Sequence, residues 1–161
     1  MNGLQRPVQF AASDLNGDGK EDIVLSQFGH NTGKLSWFDN GNPLKEHILK
    51  VLPGTRKVEV WDMNKDKKPD LVVLSGQAWE GVSIFYNQGK GKFKEKKVLE
   101  FPPVFGASYF ECVDFNKDGF LDILLTNGDN WDFLVGLRHQ YHYIGLFITI
   151  KIRYFHLSGT R

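Results

Sequence analysis

The stretch Asp14-Leu15-Asn16-Gly17-Asp18-Gly19-Lys20-Glu21-Asp22 decides the reading of this chain, because its pattern returns twice. The second copy places Asp62, Asn64, Asp66 and Asp70 at positions 1, 3, 5 and 9, and the third places Asp114, Asn116, Asp118 and Asp122 there. A short aliphatic run follows each loop: Ile23-Val24-Leu25, Leu71-Val72-Val73-Leu74 or Ile123-Leu124-Leu125. One such cluster of Asp, Asn and Gly reads as a solvated hairpin turn. Three in equivalent places read as a structural repeat.

Hard oxygen side chains crowded on a tight turn suit Ca2+, which takes six to eight oxygens at about 2.3–2.6 Å. Four carboxylate or amide side chains, a backbone carbonyl near position 7 and a water complete such a shell. Gly19 and Gly119 at position 6 let the backbone reverse without a Cβ. In the second copy Lys67 stands there, flanked by Lys65 and Lys68, so this loop is the weakest candidate for an ion. An EF-hand also begins this way but needs a Glu at position 12 and flanking helices. Position 12 is Leu25, Val73 and Leu125, and the residues after each loop are strand formers, which rejects that alternative.

Outward from the loops, each repeat lays out four short strands. The first repeat has Val8–Ser13, Ile23–Gln27, Lys34–Asp39 and about Lys45–Leu49, with a turn at Asn40-Gly41-Asn42 and punctuation at Pro53-Gly54. The second has Arg56–Trp61, Leu71–Ser75, Val82–Tyr86 and Phe93–Val98, with Asn87–Lys92 as its turn. Along the first strands, Phe10 and Ala12, Val58 and Val60, and Phe110 and Cys112 share a face, and Glu59 and Glu111 take the other. Buried carboxylates need partners, so those two should reach a channel, a water or a cation. Trp37, Trp61 and Trp79 read as core between repeats.

The loops recur at spacings of 48 and 52 residues, near the length of a propeller blade. Four-stranded units cannot bury both faces alone. The fold expected is all-β: a partial β-propeller of about three four-stranded antiparallel blades at 8–54, 55–103 and 104–161, the third irregular or incomplete. Its opening follows the pattern through Asp122–Thr126, but Asn127–Phe133 is polar and aromatic, and no Asn-Gly turn follows the strand near Phe147–Ile152. Three units make an open arc, so the chain reads as a fragment whose partners are the remaining blades of a parent propeller or further copies of itself.

These residues resemble the FG-GAP/VCBS repeat family, the calcium-loop propeller repeats of integrin alpha-subunit heads and many bacterial surface proteins. The resemblance spans about Val8 to Ile150 and rests on the three loops, their following strands, and the stretches Gly33–Gly41 and Ile84–Phe93. It implies one Ca2+ on Asp14, Asn16, Asp18 and Asp22 and another on Asp114, Asn116, Asp118 and Asp122, with the carbonyls of Lys20 and Phe120 as position 7 ligands. Asp62, Asn64, Asp66 and Asp70 depart from the family where Lys67 replaces Gly and Pro69 stiffens the turn. It also implies an extracellular or periplasmic parent, although no signal-peptide run is visible at Met1–Pro7. Near the C-terminus, Gln140–Gly145 only partly follows the family, which a premature end or altered reading frame would explain.

Composition narrows the function. A formal net charge of +1 gives no reason to expect nucleic acid or an anionic membrane as partner. No membrane insertion is expected. Cys112 stands alone in an apolar run and reads as a small buried hydrophobe. His30, His47, His139, His142 and His156 have no zinc-ligand spacing, and no catalytic set emerges. The polar and aromatic group Asp129, Asn130, Trp131, Asp132, Tyr141 and His142 could hydrogen-bond and stack on a sugar, or Trp131 and Phe133 could pack a long loop onto the blade. The function expected is a calcium-stabilised extracellular binding or scaffolding module with a glycan or protein ligand. The alternative is a non-catalytic or loop-bearing part of a secreted polysaccharide-acting enzyme.

Overall fold

The computed structural model describes residues 4–29, 32–77, 80–102, 105–128, 144–150 and 154–157. Three antiparallel four-stranded sheets follow one another along the chain. The first contains β1 (Pro7–Ser13), β2 (Asp22–Gln27), β3 (Lys34–Phe38) and β4 (Glu46–Val51), in that order across the sheet. The second contains β5 (Thr55–Trp61), β6 (Asp70–Ser75), β7 (Gly81–Gly89) and β8 (Lys92–Glu100). The third contains β9 (Ala107–Val113), β10 (Asp122–Asn127), β11 (Ile144–Ile150) and β12 (Tyr154–Leu157). This is the expected partial propeller of three blades. The third blade is the irregular one: its outer strand has only four residues.

Strand boundaries follow local chemistry. Lys90 and Gly91 both take positive φ, 55° and 68°, giving the tight two-residue link between β7 and β8 that right-twisted strands favour. β7 therefore runs on to Gly89, past the Asn87 at which the sequence suggested a turn. Gly91 is also pressed on Trp37 of the first blade: a Cβ there would come within 2.5 Å of the indole.

The register assigns each side chain to a face. In blade 2, Val58, Leu71, Val73 and Phe85 face backward onto Leu15, Val24, Leu35 and Trp37 of blade 1. Val72, Leu74, Val82 and Ile84 face forward onto Phe110, Cys112, Ile123, Leu125 and Phe147 of blade 3. Every residue of β6 is buried as a result. Inner strands β1, β5 and β9 lie at successive blade contacts, β1 against β5 and β5 against β9.

Two expectations about the core change. Trp61 is 42% exposed rather than packed between blades; it ends β5, and its Nε1 donates to Glu59 Oε2 at 2.7 Å. Phe10 keeps its assigned face but is 64% exposed, because no blade lies behind the first one. Trp37 is buried as expected and stacks on His47, with ring centroids 4.1 Å apart. Trp79 lies outside the described residues.

Candidate metal loops

The three loops share one backbone. Positions 4 and 6 take positive φ throughout: Gly17 and Gly19, Lys65 and Lys67, Lys117 and Gly119. That conformation turns successive N–H groups inward, where the position 1 carboxylate collects them. Asp14 accepts from Gly17, Asp18 and Gly19, at 2.7, 3.1 and 2.8 Å. The Gly19 N–H is the main reason its carboxyl is held below the usual carboxylate range.

Positions 1 and 3 meet on a shared donor. Asp14 Oδ1 and Asn16 Oδ1 both accept the Asp18 N–H, at 3.1 and 2.8 Å. Asp62 and Asn64 do the same with Asp66 N–H, each at 3.0 Å, as do Asp114 and Asn116 with Asp118 N–H. Two oxygens are thus set side by side at the same place in every loop.

Position 9 plays a different part. Asp22, Asp70 and Asp122 are each 0% exposed. Their Oδ2 atoms accept the N–H of position 2, Leu15, Met63 and Phe115, at 3.0, 3.0 and 3.1 Å. Oδ1 of Asp22 and Asp70 accepts Asn40 N–H and Asn87 N–H, both at 2.8 Å. The carboxylate therefore draws the loop's opening and the end of the third strand together. Burial raises the Asp70 carboxyl despite those two donors.

Among the described residues, no three His, Cys, Asp or Glu side chains converge as a ready-made metal cluster. The loops bring positions 1 and 3 to the amide of position 5, and position 9 to the amide of position 2. What fits Ca2+ is the donor set, four oxygen side chains per loop, of which the backbone brings positions 1 and 3 side by side. The second loop fits least: Lys68 Nζ sits 3.1 Å from Asp66 Oδ2 and, by that hydrogen bond, keeps the Asp66 carboxyl low. Its Lys65 is turned away over the Phe120 ring at 3.8 Å.

The carboxylates predicted to seek a cation have found one. Lys57 Nζ lies 2.7 Å from Glu59, 3.4 Å from Glu111 and 2.6 Å from the Phe110 carbonyl, above the Tyr109 ring. Burial opposes its charge, but the Glu59 and Tyr109 contacts outweigh it and raise its pKa. Cys112 is buried, and burial, reinforced by Glu59, pushes its thiol far up, so it stays protonated.

Sequence reasoning missed two sets of residues. Asn40 and Asn87 read as turn residues, yet each ties its blade's position 9 carboxylate, and Asn87 Nδ2 also donates to the Leu15 carbonyl of blade 1 at 2.9 Å. Their recurrence two residues after Phe38 and Phe85 was the available signal. The other is position 2 of the loop, where Leu15 is 1% exposed and packs into the blade interface. The proposed sugar-binding group from Asp129 to His142 lies outside the described residues, as do His30 and His139.

Two overlapping stretches, 14–73 and 62–125, match the FG-GAP-like repeat. The chain belongs to that family. Each match begins at the first Asp of a loop, so the FG-GAP-like repeats and the blades share a period. No curated protein matches the chain. Among its described residues, no helix is long and apolar enough to cross a membrane.

Proposed function

We propose that this chain is a calcium-stabilised, extracellular or periplasmic binding and scaffolding module built on FG-GAP-like blades. The shared donor geometry of positions 1 and 3 in all three loops is the observation that supports it. Asp14, Asn16, Asp18 and Asp22 hold one Ca2+ with the Lys20 carbonyl; Asp114, Asn116, Asp118 and Asp122 hold another with the Phe120 carbonyl. Bound Ca2+ supplies positive charge that relieves repulsion among the crowded carboxylates. An ion bound only by the folded loop adds directly to stability. Asp62, Asn64, Asp66 and Asp70 form the weak site. The ligand of the module is a glycan or another protein, and its structural partners are the remaining blades of a larger propeller or further copies of the chain.

Calorimetric titration with Ca2+ tests the reading. The chain should bind two ions, and Asp18→Ala or Asp118→Ala should each remove or severely weaken one. Unchanged stoichiometry in both variants overturns the assignment.

A further inference from the structure

The two blade joints use equivalent positions with different hydrogen bonds, which allows the open faces to be compared with closed ones. Five residues before each loop, Gln9 of blade 1 reaches Val58 N–H of blade 2 through Oε1 at 2.7 Å. Lys57, its equivalent in blade 2, reaches the Phe110 carbonyl of blade 3 at 2.6 Å. Glu59, two residues further on, accepts Cys112 N–H at 3.3 Å. At position 2 of the first loop, Leu15 plugs the joint and Asn87 binds its carbonyl.

Blade 3 carries the forward half of this joint, and among the described residues no further blade lies on it; Lys57 of blade 2 reaches its inner edge, over the Tyr109 ring and 3.4 Å from Glu111. Tyr109 and Glu111 occupy the places of Lys57 and Glu59, and Phe115 that of Leu15. Tyr109 is 47% exposed, Phe115 59%, and Ile144, opposite Thr126 on the same face, 67%. Blade 1 carries the backward half. Its Phe10 is 64% exposed, whereas its equivalents Val58 and Phe110 are 1% and 0% exposed within closed joints. Ile48, on the same face, is 55% exposed.

We propose that two copies of this chain join head to tail, the Phe10 and Ile48 face of each seated on the Tyr109, Phe115 and Ile144 face of the other, closing a six-bladed ring. The occupant is a second copy because one chain carries both the forward and backward halves of a joint that it already makes twice internally. Tyr109 and Glu111 then meet the inner edge of β1 at Phe10 and Ala12, as Lys57 and Glu59 meet Phe110 and Cys112. Two three-bladed arcs give six blades, within the usual range of about four to eight, whereas three arcs give nine. Head-to-tail contacts form a closed ring when the rotation closes and a filament when it does not. The ring does not depend on the calcium reading.

Sedimentation and native mass spectrometry of the full chain test this across a hundredfold range of concentration. The expected species has twice the 18.4 kDa chain mass. Phe10→Asp and Ile144→Asp each weaken the dimer at least about 30-fold. Mixed one to one, the two variants regain association, because one intact joint forms between them. Ile48→Glu repeats the Phe10 result should Phe10→Asp fail to fold, with circular dichroism as the check. A monomer at every concentration overturns the proposal. So does an assembly larger than a dimer, a single variant that stays dimeric, or a mixture that does not recover, since the last two denote a face-to-face pair or no shared joint.

Discussion

Lys57 concentrates the polar energetics of the inner strands in one ammonium. Its side chain is 11% exposed and that of Glu59 15%, so both charges are largely withdrawn from water. Such a pair contributes little over an apolar substitute, but removing one partner strands the other. Lys57→Met should therefore destabilise the protein by about 2–3 kcal/mol, below the roughly 3–5 kcal/mol of a fully dry pair because some water reaches Glu59. Lys57→Met with Glu59→Gln should recover most of that loss, as urea unfolding of the four proteins of the cycle would show. Additive losses would mean that Glu59 is held by Trp61 and Cys112 N–H alone, without need of the lysine.

The loops show what one sequence pattern can settle. Oxygen side chains at positions 1, 3, 5 and 9 followed by an aliphatic run placed every hairpin, and the alternation of Val58 and Val60 with Glu59 placed the faces of β5. Burial is a different matter: Phe10 and Phe110 are alike in type and position, and only the presence of a neighbouring blade separates them. Trp61 was misplaced because hydrophobicity says nothing about where a strand leaves its sheet. Position 9 was legible as an acid but not as the buried brace that gathers amides from two elements, since its partner amides are backbone and only the recurrence of Asn40 and Asn87 after Phe38 and Phe85 marks one of the two. The second loop keeps the common backbone although Lys65 and Lys67 hold φ of 62° and 64°, a region unfavourable for a residue with Cβ. Lys67→Gly should raise stability by up to about 1 kcal/mol in thermal melts. Combined with Lys68→Gln, which frees Asp66, it should add a third Ca2+ to the two expected by titration. If the stoichiometry stays at two, the obstacle in this loop is Pro69 or the loop's overall charge and not the two lysines.

At the scale of the molecule, stability in a blade array is a sum of units and the joints between them, so it is greatest where both faces are covered. Only blade 2 has that position, with β6 buried at every residue, while its outer strand β8 and the outer strand β4 of blade 1 are largely exposed. Amide exchange should rank accordingly. Amides of Asp70–Ser75 should outlast those of Glu46–Val51 by at least about 100-fold, near 3 kcal/mol in opening free energy. In β1, bordering the open backward face, exchange should fall between these limits in dilute solution and slow as concentration rises, because the added joint covers Phe10 and its neighbours. β2 supplies the internal comparison: its Val24 lies in a closed joint and its Leu25 faces the open side, so opening of the whole first blade releases both together. Exchange in β2 as slow as in β6 at the lowest concentration would mean that blade 1 is held by its own hydrogen bonds and not by its neighbours, and the nearest-neighbour account of this arc would fail.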